Sequence, residues 1–268
     1  MAITTLDDVI AGALPPRMFM KAATPTLVAG RPHSLFYLGG MPAAAAAPTP
    51  GLTGEVLTSY GGQLPWTNPA SGNSYLARLQ AQATIAGTLM LCDRLWHNSG
   101  YTMTITTEQV FTSSVQIPAR DANGQNLGVG VQAAVEVVAA TGAGTPTLTF
   151  KYTNSAGDTD KTATNIIPTV ASSAIGAFYP IGLAAGDLGV RRAQSLQLSA
   201  TWTSGAISLV LYRVLAILEL TANQIPNAID ALTSGFPRIY DNSVPFLVFI
   251  PSTTTASVIS GHMVVTQG

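Results

Sequence analysis

The chain has 268 residues, a formal net charge of −1 and 9% charged residues, against about 25% in ordinary soluble domains. That length supports one large β domain or two smaller ones. The charge balance argues against nucleic-acid binding, which needs several phosphate contacts, because no basic cluster exceeds Arg191-Arg192.

The single cysteine, Cys92, leaves no intrachain disulfide framework and fits assembly in a reducing cytoplasm. Asp7 and Asp8 stand where a signal peptide would be apolar. The longest apolar run, 207–220, is interrupted by Arg213 and falls short of the ~20 residues a spanning helix needs. The chain is therefore expected to be soluble, with no export or membrane address. A surface this poor in charge is easily desolvated. Partner subunits are expected to cover much of it, the alternative being a neutral, Thr-rich monomer.

Residues 1–32 read as an arm. Thr5 and Asp8 resemble a capping box, and Gly12 with Pro15-Pro16 limit the helix to two turns. Arg17, Met18, Phe19, Met20 and Lys21 then form an extended segment that either docks on a neighbouring subunit or packs back on its own domain. Residues 39–72 are dense in Gly and Pro, so regular structure is not expected there. That segment is expected to lie over another surface, with Trp66 as its anchor or as an ordinary buried tryptophan. The expected organisation is an arm and irregular segment over 1–72 and a β body over 73–268.

Tyr75, Leu76, Leu79, Ala83, Ala86 and Met90 fit a helix by spacing, but Thr84, Gly87 and Thr88 favour two strands bent at Gly87. Residues 93–100 read as a polar corner. Tyr101, Met103, Ile105 and Thr107 alternate with threonines as a strand would. Asp121-Ala122-Asn123-Gly124 is a turn, 129–140 a strand, 145–153 and 159–165 a hairpin, and Phe178-Tyr179 a short strand before a loop over 182–189. The strongest β signal is 194–220. Leu196, Leu198, Ala200 and Trp202 alternate with polar residues, Ser204-Gly205 supplies a turn, and 207–220 is apolar on both faces, so a core hairpin is expected. A helix is expected from Pro226, with Ile229 and Leu232 on one side, Gly235 just past its end and Pro237 stopping it. Two strands, 244–250 and 256–266, close the chain. The fold class is mainly β: an antiparallel sandwich or jelly-roll-like body, an extended N-terminal arm and one short C-terminal helix.

Little in this pattern calls for chemistry. No Gly-x-Ser-x-Gly elbow is present. Cys92, Asp93 and His97 are neighbours in sequence, but Cys92 sits in an apolar run and reads as a core thiol. His33, His97 and His262 lack metal-site spacing. Asn154, Asp158 and Asp160, or Asp121 and Asn123, could offer oxygens to a cation, but solvated turns explain them better. No enzyme activity, cofactor or metal is expected.

The low-charge Ala/Gly/Thr-rich composition, the arm and three segments (92–100, 200–205 and 246–255) resemble tailed-bacteriophage virion structural proteins, namely capsid cement or decoration proteins and minor head proteins. The resemblance implies a protein of the virion, assembled in the host cytoplasm, that binds a capsid shell. Its implied partners are the major capsid protein and its own copies, often as a trimer, with no nucleic acid or membrane. The candidate interface residues are Arg17, Met18, Phe19, Met20 and Trp66, with Arg213 and Glu219 as two charges on an otherwise apolar strand. A tail or baseplate protein and a carbohydrate-binding sandwich are the alternatives, the latter needing exposed Trp66, Trp96 or Trp202.

Overall fold

A computed structural model describes residues 3–111 and 116–268. The first two residues of the expected arm lie outside the described residues. The protein is mainly β, with antiparallel, curled sheets forming a sandwich-like body and two short helices. It divides into two compact units, one of Met1–Ala45, Ser59–Asp93 and Leu215–Gly268 and one of Ala46–Thr58 and Arg94–Val214. Residues 1–72 thus contribute to both.

The first unit has a sheet ordered Asn227–Asp230, Ser74–Ala83, Ile259–Gln267, Arg17–Lys21, Gly40–Met41, with Arg238–Ile239 also pairing Ser74–Ala83. Facing it are His33–Ser34, Pro245–Pro251 and residues 87–93. Between the two lie Phe19, Leu76, Leu79, Ile259 and Met263 from one sheet and Leu89, Leu91, Leu247 and Phe249 from the other. Each large side chain so buried contributes roughly 1.5–3 kcal/mol.

The N-terminal segment packs back on its own unit. Leu6–Ala11 is a helix capped by the Thr5–Asp8 box. Arg17–Lys21 then pairs residue for residue with 259–263 and buries Phe19 to 1% exposure. Deleting this segment would remove a strand and a core phenylalanine, so it is not a separable arm. Gly261, opposite Phe19, permits the close fit: a β-carbon there would fall 2.1 Å from Gln80 O and 2.7 Å from the Phe19 ring.

In the second unit, Val131–Ala139 lies between residues 206–213 and Phe178–Gly182; Lys161–Asn165, Leu148–Asn154, Val190–Leu198 and Gln109–Val110 follow in that order. Val131, Val135, Val137 and Leu209 meet Leu148, Phe150, Leu196 and Leu198 in its core.

The expected strands at 129–140, 145–153, 159–165, Phe178-Tyr179, 244–250 and 256–266 are present with shifts at their ends. Three expectations are corrected. The 194–220 stretch is two strands but no hairpin: Val190–Leu198 pairs with Leu148–Asn154, and Ala206–Leu220 pairs with Val131–Ala139. Trp202 in the connection is fully buried, its backbone N–H donating to Met103 O at 3.0 Å. The segment therefore crosses the core instead of turning tightly.

Residues 101–107 form no strand. Side chains satisfy their backbone: Gln109 accepts from Thr102 N at 2.8 Å and donates to Thr102 O at 3.1 Å, and Gln197 donates to Thr106 O at 2.9 Å. The C-terminal helix is one turn, Ala231–Ser234, because Asp230 and not Pro226 caps it. Asn227–Asp230 ahead of it is an edge strand, and Gly235 ends the turn at φ 71° as expected.

Candidate interaction surface

The first unit's sheet covers the core with one face and leaves the middle of the other open, while the end at Tyr75 and Thr266 is covered by Phe236 and the Leu6–Ala11 helix. On the open face, register places Met41, Met20, Ser260 and Gln82 in one row and Met18, His262, Gln80 and Ala228 in the next. Met18, Met20 and Met41 are 62%, 53% and 48% exposed. A groove of about 300 Å³ runs between Met18, Met20, Gln80, Gln82 and His262. Gln82 Nε2 donates to Ser260 Oγ at 3.3 Å, and Arg78 donates to Gln80 Oε1 at 2.8 Å. The two rows carry no Asp, Glu, Lys or Arg; Arg78 and Asp230 stand opposite each other one step along.

Two smaller apolar features are also open. The helix Leu6–Ala11 buries no residue, and Leu6 and Ile10, one turn apart, are both exposed. In the second unit, Ile166 and Leu188 border a groove of about 310 Å³ also lined by Pro180 and Asp187.

The expected polar corner is instead a buried charged network. Arg94 Nη1 and Glu136 Oε2 are 2.7 Å apart with both side chains fully buried. Arg94 Nε donates to His97 Nδ1 at 3.1 Å, so His97 Nε2 carries the hydrogen that contacts Glu55 Oε1 at 2.8 Å. Burial, then the Arg94 charge, lowers the His97 pKa to about 2. The His97–Glu55 contact is accordingly a hydrogen bond of a neutral imidazole and not an ion pair. Gly54, at φ +71°, seats this turn on Trp96, since a β-carbon would come within 2.1 Å of the indole.

The sequence neighbours Cys92, Asp93 and His97 form no nucleophilic set. Cys92 is fully buried, which raises its thiol pKa far above the ordinary range, with the Asp93 charge adding to the effect. Asp93 accepts from Ser243 Oγ at 2.9 Å and Val244 N at 2.8 Å.

The candidate cation loops are also internally occupied. The buried Asp121 carboxylate accepts from the N–H groups of Asn123, Gln125, Gly128 and Val129 at 2.8–3.3 Å. A ring of donors repels a cation. In the other loop, Asn154 Nδ2 donates to Asp158 at 3.0 Å and Asp187 at 2.7 Å, and Lys161 lies 3.4 Å from Asp158. No cluster of three or more metal-ligating acid, His or Cys side chains occurs among the described residues.

The structure disperses the residues expected at the interface. Arg17, Met18 and Met20 are exposed on the strand beside 259–263, whereas Phe19 is core. Trp66 is half-buried against the first unit's core. Arg213 is buried in the second unit opposite Val131, so it presents no exposed charge. Glu219 is exposed in the first unit, accepting from Thr88 Oγ1 at 2.9 and 3.0 Å. Trp96 and Trp202 are buried and offer no sugar platform. Sequence reading missed Met41, Gln80, Gln82, Ser260 and His262, which reach one face only through strand pairing.

No helix among the described residues is long and apolar enough to cross a membrane. No family model and no curated protein matches the chain. Among solved structures, the chain is similar to the infectious bursal disease virus VP2 subviral particle at 8% identity, covering 96% of this chain and 80% of that one, with a TM-score of 0.23. It is similar to infectious bursal disease virus Gt strain at 13% identity, 95% and 65% coverage and a TM-score of 0.22. For T=1 particles derived from infectious bursal virus the values are 9%, 96%, 79% and 0.19. Scores this low assign neither a family nor a function.

Proposed function

We propose that this protein is a structural component of a virus particle, of the capsid cement or decoration kind seen in tailed phages, and that it acts by binding rather than catalysis. The observation that carries this is the uncharged outer sheet face, where Met18, Met20 and Met41 stand open in a chain with 9% charged residues. Burying an apolar side chain of that size is worth roughly 1.5–3 kcal/mol, so a face holding three of them gains from being covered. Exposed Leu6 and Ile10 add a second contact. Because Arg17–Lys21 is built into the sheet, the part that reaches a neighbour is the short helix ahead of it.

In this role the partners are the major capsid protein and further copies of the chain. The location is the virion after assembly in the host cytoplasm, and no nucleic acid, membrane or cofactor takes part. Mass spectrometry of purified particles, with gold-labelled antibody against the chain in electron microscopy, tests the proposal. Label on the heads is the expected result. Label on the tails would make it a tail or baseplate protein, and its absence from particles would overturn the proposal.

A further inference from the structure

We infer that the open face of the Ser74–Ala83 sheet packs against the same face of a second copy of this chain, across a two-fold axis near His262. The inference rests on the reading of the protein as an assembly subunit and names the occupant of that subunit's Met-bearing face.

A two-fold interface brings each patch against itself. A face rich in one sign of charge would then meet like charge, at a cost of several kcal/mol. The central rows avoid this, since Met18, Met20, Gln80, Gln82, Ser260 and His262 include no Asp, Glu, Lys or Arg. Their polar groups can also pair with copies of themselves. Primary amides and a hydroxyl each both donate and accept. The lateral bonds use Gln80 Oε1 and Gln82 Nε2, leaving the Gln80 NH₂ as donor and the Gln82 carbonyl as acceptor on the same face. The charged residues Arg78 and Asp230 are of opposite sign and adjacent at the margin, away from the rows around the axis.

The area fits a weak, transient contact. The end of the face at Tyr75 and Thr266 is covered by Phe236 and the Leu6–Ala11 helix, and the open remainder, about five residues on each strand at about 3.3 Å per residue and 4.8 Å apart, covers about 300 Å² of plane per copy. Two copies, with side-chain relief, fall in the range below about 1,200 Å² that weak associations occupy. His262 lies on Ile259–Gln267, the middle strand of the five in order, so the axis of a centred patch falls beside it.

The test is native mass spectrometry and sedimentation equilibrium of the full chain, with His262→Glu and His262→Lys. The wild type should show a concentration-dependent species of twice 27.7 kDa. Each variant alone should associate at least about tenfold more weakly through like-charge contact, and an equimolar mixture should regain the pair. Unchanged circular dichroism checks that the half-exposed site tolerates both substitutions, and Met18→Glu/Met20→Glu, at exposed positions, should disrupt the pair independently. A chain that stays single at all concentrations, variants that pair like wild type, or a mixture that fails to recover would each overturn the inference. Particle labelling reads separately: label on heads from a chain that never pairs would leave the virion role standing and remove only the two-fold contact.

Discussion

The Arg94–Glu136 pair gives the sharpest energetic prediction. Both side chains are fully buried and 2.7 Å apart, and Arg94 also supplies the hydrogen bond that fixes the His97 ring. Removing one member leaves the other charged and desolvated, which typically costs 3–5 kcal/mol, whereas replacing both by apolar groups of similar volume is often neutral or stabilising. Arg94→Met and Glu136→Leu should therefore each destabilise the second unit by about 3–5 kcal/mol. The double variant should fall within about 1–2 kcal/mol of wild type, giving a coupling well above the ~0.5 kcal/mol of independent sites. Urea unfolding followed by tryptophan fluorescence measures this. Trp96 and Trp202 report on the second unit's core, and a Trp66→Phe background silences the tryptophan of the first unit. Single-variant losses below about 1 kcal/mol, or losses that simply add in the double variant, would refute the reasoning.

Four further outcomes follow from the same structure. Burial holds His33 at about 4 and His97, with Arg94 beside it, at about 2. The unfolded chain binds protons first as pH falls below about 6.5, so the histidines' contribution to stability should be complete above that pH and decline by about 1.4 kcal/mol per pH unit for each histidine below it. Denaturation from pH 7 to 4 should show a flatter decline in His33→Gln and His97→Gln. Burial likewise lowers Lys21 to about 8 from 10.5; between those values the unfolded state holds more protons, so stability rises with pH there in wild type, and Lys21→Met should lose that rise. Gly261→Ala forces a β-carbon onto Gln80 O and the Phe19 ring and should cost about 1–3 kcal/mol by thermal unfolding. Phe19→Ala should cost about 3–5 kcal/mol, while exposed Met18→Ala stays within about 0.5 kcal/mol; equal losses would contradict their assignment to opposite faces.

How much of the fold could be read in advance depended on whether each pattern was local. Strands such as Val131–Ala139 and Pro245–Pro251 announce themselves by apolar, β-branched runs, and the Thr5–Asp8 box by its spacing. Leu76, Leu79 and Ala83 mimic helical spacing for a structural reason. The strand Ser74–Ala83 shifts register against its partner between Val264 and Val265, so an extra residue near Ala77 moves the buried side from Leu76 to Leu79. The 101–107 alternation looked like a strand because threonines carry β propensity, yet Gln109 and Gln197 take its backbone bonds. Glu136 was the overlooked signal: a carboxylate at the centre of an apolar strand demands a buried partner, and Arg94 supplies it.

The candidate surface was illegible for a different reason. Its rows join residues near positions 20, 80 and 260, and no property of any one segment reveals that they share a face. Met18 and Met20 alone could as well have been core, since Phe19 between them is. What decides the matter is which parity of Arg17–Lys21 faces the core, and that is fixed by the partner strand: Gly261 opposite Phe19 leaves room on the inner side for the aromatic ring. With Phe19 seated there, the two methionines must point outward beside His262 and Ser260. The glycine that shapes the core thus also sets the exposed face. A shift of one residue in this pairing would bury the methionines and expose Phe19.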